Sequence, residues 1–169
     1  MKKSRFIARS AIVAALYVVT TMLCYPFAYG MIQFRLSEIM TLLAWFEPLY
    51  IPGLLVGCFF ANLFGIGGLT DAIFGTVASI VAFLWMLAFR PVKNKRLSLY
   101  LAGLGPAVSS VVIAAEMRFA LGDSTGFWIW FFYVALGEFV VVELIGCPLA
   151  AYLGKKEKAR RLIHNIKEE

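Results

Sequence analysis

Charge is scarce in this sequence: Asp, Glu, Lys and Arg make up 15% of its 169 residues, against 62% hydrophobic residues and a mean hydropathy of +0.83. Soluble domains carry about 25% charged and about 45–50% apolar residues. A globular core could not hide so much apolar surface, so the composition calls for lipid as solvent. Histidine is nearly missing, with only His164 close to the C-terminal end, and the three cysteines, Cys24, Cys58 and Cys147, lie singly in apolar stretches with no CxxC spacing. An odd cysteine count of this kind argues against a disulfide framework, and no His/Cys/acid constellation has metal-ligand spacing. The thiols read as reduced, packed side chains. There is also no GxxxxGK[ST] loop to cradle ATP phosphates, no HExxH and no GxSxG. Gly65-Ile66-Gly67-Gly68 has no strand before it and reads as a turn rather than a dinucleotide fingerprint. The expectation is a protein that is not an enzyme and uses no cofactor or metal.

What charge there is has a pattern. The net charge is +6 and the pI about 9.4, yet 14 of the 16 basic residues fall in three clusters between long apolar runs. These are Lys2, Lys3, Arg5 and Arg9; Arg90, Lys93, Lys95 and Arg96; and Lys155, Lys156, Lys158, Arg160, Arg161 and Lys167. A nucleic-acid binder would gather its cations on one face; basic clusters between apolar runs are the positive-inside signature of a membrane protein. The N-terminal cluster and the run behind it resemble a signal peptide, but Leu23 before Cys24 is too large for a lipoprotein cleavage site, and the run reads as a first span.

Apolar segments bounded by charge, Gly or Pro predict six helices, at residues 6–24, 36–46, 51–65, 70–89, 97–117 and 127–153. Full crossings take about 20 helical residues, so the second and third are short, and Pro48 and Pro52 could join them into one kinked span. Charge parity separates the two readings. If all three basic clusters are cytoplasmic, each pair must be separated by an even number of crossings, which four and then two spans satisfy and a fused span does not. The expected fold is therefore a single membrane domain of residues 1–169, a six-transmembrane-helix bundle with both termini in the cytoplasm. Its short spans imply irregular backbone that lines a cavity, with residues 25–35 dipping over the outer mouth.

Small residues supply the helix contacts that hydrophobicity cannot supply in lipid. Gly53, Gly57, Ala61 and Gly65 line one face of the third span, and Gly146, Ala150 and Gly154 one face of the sixth; both read as internal seams. Ala11 and Ala15 form an AxxxA step that could pack internally or dock a partner. Beyond residue 153 the tail reads as a basic amphipathic helix with Ala159, Leu162, Ile163 and Ile166 on one face and a solvated His164.

Ionisable residues within spans are expensive, and they usually face a bundle interior or a pathway. The parity topology puts Glu38, Asn62, Asp71 and Glu116 at one outer level, each from a different span. Arg35 lies beside Glu38, Glu138 lies at mid-depth and Glu143 lies nearer the cytoplasm. Such convergence suits a binding pocket open to the outside. Tyr25, Phe34, Trp128, Trp130 and Tyr133 are the aromatics within reach, although Arg118, Trp128 and Trp130 read equally well as interfacial residues.

Phe34-Arg35-Leu36-Ser37-Glu38, the 57–62 stretch and Gly68-Leu69-Thr70-Asp71-Ala72-Ile73-Phe74-Gly75-Thr76 resemble the queuosine-precursor family of S components, the substrate-binding subunits of energy-coupling-factor transporters. The resemblance covers roughly residues 9–153. It implies a multi-pass protein of the bacterial cytoplasmic membrane that captures a nucleobase-like vitamin from outside. It further implies delivery by toppling against a transmembrane coupling subunit served by two ATPase subunits, with Ala11 and Ala15 as the coupling contact. The implied cargo is 7-cyano- or 7-aminomethyl-7-deazaguanine. By depth and chemistry, Glu138 or Glu38 would accept the adjacent N–H donors of a guanine-type edge and Asn62 would donate to its carbonyl. Asp71 or Glu116 would meet an aminomethyl cation, and Tyr133 and Trp128 would stack on the base. The alternatives are an S component for another vitamin, a proton-coupled exporter using Glu138 or Glu143, a membrane enzyme acting on lipid, and a structural assembly subunit.

Overall fold

The computed structural model describes residues 3–155, and every regular element among them is helical. In chain order they are α1 (Lys3–Leu23), α2 (Tyr25–Ala28), α3 (Leu36–Phe46), α4 (Pro48–Leu63), α5 (Leu69–Phe89), α6 (Lys95–Ala120) and α7 (Phe127–Lys155). Four of these, α1, α5, α6 and α7, are long and apolar enough to cross a membrane; α3 and α4 are apolar but shorter. The predicted helices match these to within about three residues at each end. The amphipathic reading of the tail falls outside the described residues.

Helix α3 begins as a 3-10 helix over Leu36–Leu42 and relaxes to α-helix over Leu43–Phe46. The tighter winding advances about 2.0 Å per residue instead of 1.5 Å, so these residues reach farther through the bundle than an α-helix of equal length. Glu47 then turns to extended backbone, and Pro48 and Pro52 each occupy a first-turn position, where a missing N–H costs nothing. The prolines separate α3 from α4 rather than kinking a single span.

Contacts between neighbouring helices give each its direction. Position 53 meets Ser10 and position 57 meets Ala14 and Tyr17, so α4 runs alongside α1 in the same sense. Thr21 bonds Ser37 and Tyr17 bonds Glu38, so α3 runs against α1. Asn62 lies against Gly75 and Cys58 against Ser79, so α5 opposes α4. Ser98 bonds the carbonyls of Phe89 and Arg90, and Gly105 abuts Ala82, so α6 opposes α5. Gln33 meets Gly137 and Leu42 meets Gly146, setting α7 parallel to α3. The six longer helices thus alternate in direction. Lys3, Arg5 and Arg9, the Arg90–Arg96 cluster and Lys155 all gather at one end of the bundle.

The small-residue stripes are the seams of this packing. A Cβ at Gly53 would lie 2.7 Å from the Ser10 carbonyl oxygen, and one at Gly57 would lie 2.8 Å from Tyr17 Cβ, so α1 and α4 touch backbone to backbone. Gly65 continues the stripe against the Tyr29 ring, while Gly146 and Gly154 let α7 lie against Leu42 and Phe46. Because the obstructing atoms at Gly53 are backbone, Gly53→Val cannot be relieved by a rotamer change. Its cost should exceed the roughly 1–3 kcal/mol usual for overpacking, seen as a lower melting temperature of the detergent-purified protein. Gly126→Ala should leave it unchanged, since only the end of Ile129 lies near.

Candidate functional site

One buried cation organises the polar interior. Arg35 lies on the irregular segment between α2 and α3, where its backbone is extended. Its Nε donates to the Ala28 carbonyl at 3.0 Å and its Nη1 to Asn62 Oδ1 at 2.7 Å. The guanidinium also stands 5.2 Å from the centroid of the Tyr29 ring, a cation–π distance. Tyr29 is itself tied down, its hydroxyl donating to the Ala61 carbonyl at 2.5 Å. Burial pushes that hydroxyl up to about 12, so it remains a donor at physiological pH. Residues 25–35 are therefore pinned over α4 by polar contacts.

Four carboxyl groups surround this cation. Glu38 accepts a hydrogen bond from Tyr17, and Glu38, Glu116 and Glu138 all lie within electrostatic range of Arg35. Asp71 stands one helical turn above Gly75, which gives the Asn62 amide its space, and Glu116 faces Asp71 at hydrogen-bonding range. One oxygen each of Asp71, Glu116 and Glu138 is buried with no hydrogen-bond partner. Native structures leave few such groups, and an orphaned one calls for an explanation such as a ligand or ion. Glu116 opens a π-helical turn, Glu116–Ala120, and Glu138 immediately precedes another, Phe139–Gly146. Such turns recur at functional sites because they re-aim side chains within a continuing helix.

Arg35, Glu38 and Glu138 line a small cavity together with Gln33, Thr41, Cys58, Ser79, Ser109 and Ser110. Its volume of about 30 Å³ is enough for about two waters, whereas small-molecule pockets usually measure about 300–1,000 Å³. The cavity is too small for anything base-sized.

The structure brings together Arg35, Glu38, Asn62, Asp71, Glu116 and Glu138. It does not bring Trp128 and Tyr133 to them. Trp128 is 65% exposed and Tyr133 40% exposed, because the buried stripe of α7 runs through Val134, Gly137, Glu138, Val141 and Val142 and both aromatics lie off it. No aromatic side chain lines the cavity. Asn62 is also not free to donate inward: its Nδ2 bonds the Cys58 carbonyl at 3.0 Å and Cys58 Sγ at 3.1 Å, leaving its oxygen for Arg35. Ala11 and Ala15 lie on the exposed side of α1, opposite the Ala14 and Tyr17 face that packs on α4. Glu143 lies deeper, against Gly103 and Cys147. At the other end, Asp123 sits in the α6–α7 turn, where hydrogen bonds from Thr125 and Trp130 hold its carboxyl below the usual range.

Sequence reasoning missed Tyr17, Gln33 and the serines. Tyr17 and Thr21 are polar positions on the stripe of α1 that also carries Ala14, and Ser109-Ser110 is a hydroxyl pair within an apolar run. Both signals were visible as helical periodicity.

The fold and site together describe an all-helical, multi-pass membrane protein with an acid-rich buried centre. The comparisons are specific: the chain belongs to the QueT transporter family, whose model matches residues 7–155. It is 34% identical over 168 residues to "Queuosine precursor transporter QueT" of Lactococcus lactis subsp. cremoris (strain MG1363), an alignment covering 92% of this chain and 97% of that protein. No solved structure is significantly similar. The family is one of transporters, not enzymes.

Breaking the Arg35 hub should be costly. Arg35→Leu is expected to destabilise the fold by about 3–5 kcal/mol, the range for removing one partner of a buried charge cluster. Arg35→Lys should rescue little, since an ammonium cannot span the Ala28 carbonyl and Asn62 as the planar fork does. Chemical denaturation in detergent measures both.

Proposed function

We propose that this protein is the substrate-binding S component of an energy-coupling-factor uptake transporter, with a queuosine precursor of the 7-deazaguanine type as cargo. The observation that carries this reading is the buried Arg35-centred acid cluster in a chain whose relative is a queuosine precursor transporter. The bundle crosses the membrane six times, and the alternating helices with all basic ends together support cytoplasmic termini. The cluster then faces the outside of the bacterial cytoplasmic membrane.

In this reading Glu138 accepts the adjacent N–H donors of the base edge, because its oxygen is bare while Glu38 is already bonded to Tyr17. Gln33 or Arg35, rather than Asn62, donates to the base carbonyl, since the Asn62 amide is committed to Cys58. Binding requires the small cavity to expand, and residues 25–35, which place Gln33 and Arg35 in its lining, are the segment that would lift, exchanging a few hydrogen bonds and parting from Gly65 and Gly137. The chain has no phosphate loop, so import relies on a partner module with a transmembrane coupling subunit and two ATPases. The exposed Ala11/Ala15 step is the contact for that subunit.

Equilibrium binding to the purified chain tests the cargo. A 7-deazaguanine should bind, and Glu138→Gln should weaken it about 10–100-fold; no deazaguanine binding, with tight binding of thiamine, riboflavin or biotin, would keep the class but overturn the cargo. Ala11→Leu/Ala15→Leu should abolish co-purification of the coupling subunit while leaving substrate affinity unchanged. A proton-coupled exporter is favoured only by the buried acids on α7, and it predicts transport in cells lacking the ATPases.

A further inference from the structure

Buried acids outnumber buried cations in the polar centre. Glu38, Asp71, Glu116 and Glu138 are all more than nine-tenths buried, and Arg35 is the one buried Lys or Arg among the described residues. Arg35 is satisfied by Ala28, Asn62 and the Tyr29 face. The acids divide spatially. Glu38 and Glu138 line the cavity, whereas Asp71 and Glu116 stand together one turn farther out, Asp71 above Gly75 on α5 and Glu116 above the cavity-lining Ile113 on α6.

The outer pair keeps two buried acceptor oxygens without a hydrogen-bond donor. Asp71 is oriented by the Gly67 N–H, which donates to Oδ2 at 2.8 Å and leaves Oδ1 bare. Gly67 cannot carry a side chain there, because a Cβ would strike the Asp71 carboxyl. Glu116 is 1% exposed and its Oε1 is also without a partner. Two carboxyl groups meeting from different helices in a low dielectric cannot both be ionised unless a positive group lies between them; without one they share a proton across their hydrogen bond. No third His, Cys, Asp or Glu joins them to make a metal-holding group among the described residues, and a divalent cation seeks six or more oxygens. A primary ammonium, with three donors on one nitrogen, matches two bare acceptors better.

We propose that Asp71 and Glu116 form an ammonium-recognition subsite that makes the protein selective for a base bearing a cationic aminomethyl arm over its neutral cyano counterpart. This rests on the deazaguanine reading above. The 7-substituent leaves the five-membered ring on the side away from the guanine-type N–H edge. A base read by Glu138 at that edge therefore points its arm outward, toward the Asp71–Glu116 pair.

The test is direct binding of 7-aminomethyl- and 7-cyano-7-deazaguanine to the full chain in detergent, for wild type, Asp71→Asn, Glu116→Gln and Glu138→Gln, with melting temperatures to verify folding. Wild type should bind the aminomethyl base at least about tenfold tighter. Asp71→Asn and Glu116→Gln should each lower aminomethyl-base affinity at least about tenfold more than cyano-base affinity, and Glu138→Gln should weaken both bases alike. Equal wild-type affinity for the two bases, or equal loss of both in Asp71→Asn and Glu116→Gln, overturns the subsite and leaves the deazaguanine reading standing. Binding of neither base by folded wild type overturns both. Sodium replacing choline at constant ionic strength should leave cyano-base affinity unchanged; a sodium dependence lost in Glu116→Gln would reassign the pair to an inorganic cation and overturn the proposal.

Discussion

A guanidinium buried in a bundle of apolar helices must satisfy its donors internally, and the way Arg35 does so determines much of this structure. Its planar fork reaches the end of α2 and the Asn62 side chain at once, so the segment before α3 cannot drift from α4. Asn62 can present its oxygen to Arg35 only because its nitrogen is bonded to Cys58, and it has room to do so only because position 75 is glycine. One charge thereby ties α2, α4 and α5 into a single arrangement. The cost of burying it is offset by the acids around it, and α1, α3, α5, α6 and α7 each turn a polar group into the buried centre: Tyr17, Glu38, Asp71, Glu116 and Glu138.

The helices and their order were legible because apolar runs are bounded by charge and proline, and because basic clusters decide by parity whether the short second and third runs are one span or two. The convergence of Arg35, Glu38, Asn62, Asp71, Glu116 and Glu138 was legible for a related reason: parity gives each residue a depth, and charges at depth must find one another. Azimuth was harder to read. Trp128 and Tyr133 are at a suitable depth but face away from the centre, and residues 127–137 of α7 are apolar on every face, so hydropathy offers no stripe by which to orient them. The direction of the Asn62 amide was likewise hidden, since it depends on the Cys58 carbonyl one turn earlier on its own helix. The 3-10 winding of α3 has no signature in apolar periodicity at all.

The seams and the polar centre differ in stiffness, and the difference bears on transport. Backbone contact at Gly53 and Gly57 leaves no side chain between α1 and α4 to rearrange, so these two helices move as one body if they move. The 25–35 segment meets α4 at Gly65 against Tyr29 and α7 at Gly137, where a Cβ would lie 2.8 Å from the Gln33 carbonyl oxygen. It is retained by the Tyr29–Ala61 and Arg35–Asn62 bonds, which a ligand can replace one for one with its own donors and acceptors. Exchange of hydrogen bonds of similar strength has little net cost, whereas separating a glycine seam forfeits packing that lipid does not replace. In the proposed role, opening above the α1–α4 unit would exchange these bonds and part the Gln33 backbone from Gly137. The exposed Ala11 and Ala15 belong to that unit, which gives any partner docked there a firm surface whose position does not depend on whether the cavity is open or shut.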